Sequence, residues 1–136
     1  MKYINWLLTL FVSVAVSTFS VAVNSSEVDI INVVLTQQSG TWRADVTLNH
    51  GDTGWEHYAD GWRLVDEQGN VLGNRVLHHP HVNEQPFTRS LGGINIPENT
   101  KTIFVEAHDL NRGWSKNRVK VDMQNRDGSH YKIHRR

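Results

Sequence analysis

Residues 75 to 87 read RVLHHPHVNEQPF, with His78, His79 and His81 inside four positions and Pro80 between the last two. Neutral imidazole is a borderline-soft donor that suits Cu(II), Zn(II) and Ni(II), so a dense run of it raises metal binding first. His79-Pro80-His81 is an H-x-H pair. Proline fixes its own φ and pushes the preceding residue into extended geometry, so both imidazoles are expected on one side of the chain. The candidate ligands are His79, His81 and His108. His57, His78, Asp60 and Asp109 are further ligands or partners that fix a ring tautomer. Affinity of such a site falls as pH drops through about 6.5, where imidazole protonates.

The 136 residues include 8 histidines and no cysteine. Without a thiol there is no cysteine nucleophile, thiolate zinc or blue-copper centre, and copper or zinc must be held by nitrogen and oxygen alone. Nor does other catalytic machinery stand out. Ser90 and Ser115 lack a visible base and orienting acid, there is no G-x-S-x-G turn, and Gly92-Gly93 is followed by no helix that would make it a phosphate loop. The expectation is a protein that is not an enzyme.

Each histidine also has a plainer reading. His57 lies between Trp55 and Trp62, where a ring can form half of an aromatic corner bonded to loop carbonyls. The HHPH run reads equally as a polar loop, pinned by ion pairs among Arg75, Arg89 and Glu84. His108 alone reads as a surface residue, because Val105 and Ala107 claim the inward parity. His130 and His134 fall in the tail.

Alternating apolar and polar residues, punctuated by turns every eight to twelve positions, must place these groups. Seven strands are expected, at 28–37, 41–50, 60–66, 70–79, 87–96, 101–109 and 117–123. Turns at Ser39-Gly40, Glu67-Gln68-Gly69-Asn70 and Pro97-Glu98-Asn99 separate them. This is the pattern of an all-β, antiparallel sandwich over 28–123, preceded by a linker at 23–27 and followed by a flexible polar tail at 124–136. Because each strand reverses direction, His50, His57, His78, His79, His81 and His108 all fall at one pole. Trp114 is expected in a loop at that pole, as an anchor for a protein partner or a lid on the core.

The first 22 residues read as an export signal: Lys2, an uncharged run from Trp6 to Val23, and the small residues Ser20-Val21-Ala22 before a cleavage site. An uncleaved membrane anchor is the competing reading. Either places the domain outside the cytoplasm, periplasmic or secreted, with no membrane contact after cleavage. Loss of this segment removes one of the 14 basic side chains and none of the 14 acidic ones, leaving a slight acidic excess. That argues against nucleic acid, whose phosphates need a concentrated positive field.

The stretch FTRSLGGINIPENTKTIFVEAHDLNRGWSKNRVKVDM (87–123) resembles the second half of a fibronectin type III or related immunoglobulin-like module. Trp42 stands where such modules place a core tryptophan. The resemblance implies that the third strand lies between the fourth and sixth in one sheet. Copper–zinc superoxide dismutases and periplasmic copper carriers offer the analogy of ligands at the loop-rich end of a sandwich. The chain also resembles a group of small exported bacterial proteins with a W-x-HYAD-x-W … VLG-x-RVL-x-HPH-x-x-EQPFTRSL pattern, here Trp55, His57 to Asp60, Trp62 and 71–91; no activity comes with it. Two functions stay open: binding or delivery of copper or zinc at the histidine pole, and a metal-free module that meets another protein through loops near Trp114.

Overall fold

The computed structural model describes residues 27–136, all of them in strands and connecting turns. The export segment and most of the linker lie outside the described residues; among the described residues no helix is long and apolar enough to cross a membrane. Among the described residues nine strands form: β1 (Asp29–Gln38), β2 (Thr41–Asn49), β3 (Ala59–Asp66), β4 (Val71–Val76), β5 (Phe87–Ile94), β6 (Thr102–Asp109), β7 (Gly113–Asp122), β8 (Asp127–Gly128) and β9 (Tyr131–His134). They build a β-sandwich of two sheets, in the orders β5-β2-β1-β9-β8 and β4-β3-β6-β7. The third strand thus lies between the fourth and the sixth.

Period-two alternation decides what the sheets bury. Trp42, Ala44, Val46 and Leu48 of β2 face inward, opposite Trp62 and Leu64 of β3 and Ile103, Val105 and Ala107 of β6, and all are buried. Full burial of a side chain of the Val, Leu or Ile class contributes about 1.5–3 kcal/mol, so the core alone must hold a domain that has no disulfide.

Two expectations are corrected. The segment 124–136 is not a loose tail. Tyr131 and Ile133 are buried, and β9 pairs in parallel with β1 through Val33–Tyr131 and Leu35–Ile133. Four residues of alternating apolar and polar type suffice for a strand when β1 on one side and β8 on the other supply the ladder. A Cβ at Gly128 would overlap the Tyr131 ring, so glycine there lets the hairpin close over it. The last long strand also begins earlier than position 117. Gly113, at φ +80°, ends the β6–β7 turn, and Asp109 Oδ1 caps it by accepting the backbone N–H groups of Asn111 and Arg112, both at 2.8 Å. Trp114 therefore sits on β7 opposite His108, not in a loop.

Candidate metal site

The pole where β2, β4 and β6 end gathers the histidines, but the inward face selects among them. His50 follows β2 directly and continues the parity of Val46 and Leu48, so its ring enters the core and only 1% of its side chain is exposed. Two residues on, Asp52 turns back beneath it. His50 Nδ1 lies 2.6 Å from Asp52 Oδ1. An ionised carboxylate only accepts, so in the neutral ring the proton sits on Nδ1 and His50 Nε2 presents its lone pair. That Nε2 is buried and has no hydrogen-bond partner among the described residues.

The loop from Gly51 to Tyr58 brings His57 alongside. Gly54, at φ +149°, folds this loop back on itself, with Thr53 N–H donating to His57 O at 3.0 Å and His57 N–H to Gly54 O at 3.1 Å. The His57 and His50 rings meet edge to face, centroids 4.8 Å apart. His57 Nε2 is also buried without a hydrogen bond, and it lies 4.0 Å from Asp109 Oδ1, whose carboxylate ends the inward row of β6. One ligand atom each from His50, His57 and Asp109 lies within 4.8 Å of the other two.

Asp52 ties this trio to the HHPH segment. Its Oδ1 accepts Ala59 N–H at 3.0 Å besides the His50 ring, and its Oδ2 accepts His81 N–H at 2.8 Å. Gln85 adds a second tie, accepting His50 N–H and donating to His81 O, each at 3.0 Å. His81 is buried and stacked on Phe87 at 3.9 Å between ring centroids. Its Nε2 accepts from Arg89 Nη2 at 2.9 Å. Burial, the Arg89 guanidinium and the neighbouring His79 hold its pKa below the ordinary imidazole range.

The structure does not bring His79, His81 and His108 into one ligand set. His81 has given one nitrogen to Arg89, while its Nδ1 faces Asp52 Oδ2 at 4.0 Å. His79 is exposed, its ring 4.6 Å from that of His81 and its Nδ1 3.2 Å from Pro80 O; His78 is exposed too. His108 and Asp60 pair with each other, Nδ1 to Oδ1 at 2.5 Å, on the outer face of the β4-β3-β6-β7 sheet. There His108 meets Trp114 edge to face at 4.9 Å, and the Arg63 guanidinium lies 3.8 Å from the Trp114 ring centre. Arg89 pairs with Glu84 at 3.2 Å, but Arg75 joins no ion pair among the described residues. Of the residues expected to form the site, His57 and Asp109 meet. His50 and Asp52 were missed as participants, although the parity running from Trp42 to Leu48 pointed His50 inward.

In sequence the chain is 41% identical over 106 residues to a protein of Halomicrobium mukohataei named "Putative lipoprotein", covering 74% of this chain and 52% of that one. The chain thus spans about half the length of the curated relative it matches. No protein-family model and no solved structure matches it.

Proposed function

We propose that this protein is an exported β-sandwich of fibronectin type III or immunoglobulin-like kinship that binds one divalent ion, zinc or Cu(II), through His50, His57 and Asp109. The observation that carries the reading is that His50, His57 and Asp109 each bring a ligand atom within 4.8 Å of the other two, while the buried Nε2 atoms of His50 and His57 bond to nothing among the described residues. A buried polar atom without a partner costs about 1–3 kcal/mol. Two such atoms beside one carboxylate make sense as ligands in waiting.

The surroundings fit a metal. Asp52 behind His50 is the carboxylate–histidine arrangement that orients a ligand ring and raises its basicity. Two imidazoles and a carboxylate, with no sulfur, suit Zn(II) or Cu(II) better than Cu(I). Around a tetrahedral ion with bonds near 2.0–2.1 Å, ligand atoms sit roughly 3.3–3.4 Å apart, so the trio closes by about an ångström on loading. His57, on a glycine-hinged loop, is the member free to make that move. Export is supported by the N-terminal segment and by the relative's name. The reading is of an exported domain whose role is to bind the ion, held by nitrogen and oxygen donors because the 136 residues contain no cysteine.

Calorimetric titration of the purified protein with Zn(II) and Cu(II) at pH 7.5 tests this. One ion per chain with Kd of about 10 μM or tighter, lost in His50→Ala, supports it. Binding weaker than that, or unchanged in His50→Ala, refutes it.

A further inference from the structure

Resting on the metal reading above, we infer that the bound ion keeps one coordination position open, and that this position takes a neutral nitrogen donor of the imidazole class from outside the chain. The trio supplies three protein ligands, and the other candidate donors nearby are bonded elsewhere or, like His81 Nδ1, which has no hydrogen bond but faces Asp52 Oδ2 at 4.0 Å, stand outside this group of three. Asp52 Oδ1 holds the His50 ring and Ala59 N–H, and Oδ2 holds His81 N–H. His81 Nε2 holds Arg89, and His108 and Asp60 hold each other on the outer face. Among the described residues no fourth histidine or carboxylate joins that group, and a three-ligand site with an exchangeable fourth position follows.

The opening lies on the side of His57. Its side chain is 14% exposed, against 1% for His50 and 2% for Asp109. Two positions earlier Trp55 is 67% exposed, so this loop is the side of the trio nearest solvent and the side from which a visiting group would approach.

Charge selects the visitor. A divalent ion with the Asp109 carboxylate carries one net positive charge, and the Asp52 carboxylate, hydrogen-bonded to the His50 ligand, balances it. An anion in the fourth position would leave the buried site net negative, which a low-dielectric interior penalises, whereas water or imidazole leaves it neutral. A histidine side chain presented by another protein has this chemistry, and ligand exchange at that position is a route for handing the ion over.

Cobalt(II) loaded onto the full chain supplies visible d–d bands that report the coordination sphere. Imidazole and azide are titrated separately, and bound cobalt is assayed after gel filtration. Saturable band shifts with imidazole, cobalt retained, and azide at least tenfold weaker are expected. No cobalt uptake would sink the metal reading itself. Uptake with bands indifferent to both probes would leave that reading standing and overturn the open position. Azide binding more tightly than imidazole would overturn the charge argument, and imidazole that strips the cobalt would show displacement in place of addition. Free histidine and a histidine-containing peptide, used in place of imidazole, then separate a small-molecule donor from a protein-borne one.

Discussion

Asp52→Asn exchanges one carboxylate oxygen for an amide NH2 at the point where three donors converge: the His50 ring at 2.6 Å, His81 N–H at 2.8 Å and Ala59 N–H at 3.0 Å. The cheaper orientation keeps the oxygen toward His50 and Ala59 and turns the NH2 against His81 N–H. That orphans a buried backbone donor, at a cost of about 1–3 kcal/mol, and reduces two charge-assisted bonds to neutral ones, at roughly 1 kcal/mol more. The total is about 3 kcal/mol, which for a domain near 110 residues lowers Tm by on the order of 10 °C. The metal feels the same change, because His50 now leans on a neutral oxygen; losing a carboxylate behind a ligating histidine lowers affinity about 10–100-fold. Thermal unfolding followed by far-UV circular dichroism and calorimetric Zn(II) titration read the two effects separately. A Tm within 3 °C of the parent value would refute the accounting of the three donors, since they would have found other partners. A Zn(II) affinity within twofold of the parent would remove Asp52 from the site.

Single-site variants separate the observed trio from the ligand set suggested by the histidine spacing. His57→Ala and Asp109→Asn are expected to weaken Zn(II) binding at least tenfold in calorimetry, while His79→Ala and His108→Ala stay within twofold. The depressed pKa of His81 gives stability a direction with pH. The ring is neutral in both states at pH 7.5, and as pH falls through about 6.5 the unfolded ring protonates first, so stability declines by up to about 1.4 kcal/mol per pH unit until the folded ring follows. Urea midpoints between pH 7.5 and 5.5 should fall less steeply in His81→Asn. Ile133→Ala should cost about 2–4 kcal/mol in urea denaturation, where a loose tail would make it neutral.

The frame of this fold was legible because alternation is strong wherever a strand has a buried face, and because chain reversal alone sends the ends of β2, β4 and β6 to one pole. The site was less legible for a reason seen in β6. The parity that turns Val105 and Ala107 inward turns Asp109 inward and His108 outward, yet imidazole density drew attention to the outward residue. Adjacent histidines attract notice, whereas a site is made by the few side chains that share a face and lack a partner. In the proposed site the HHPH segment has a supporting part: His81 holds Asp52 through its backbone while its ring is claimed by Phe87 and Arg89. β9 escaped because four residues with two apolar positions carry too little pattern to be read without β1 beside them.

The parallel seam between β1 and β9 joins the first strand to the last. A chain that emerges from a ribosome or a translocon with its N-terminus leading must hold the far edge of β1 open until Tyr131 to His134 arrive, and an open edge is where chains pair wrongly with one another. The larger sheet is therefore finished last, by the most distant contact in sequence, which slows closure. Cargo fused directly after Arg136 would crowd that final docking step, while the opposite pole, where the proposed metal site lies, would be indifferent to it.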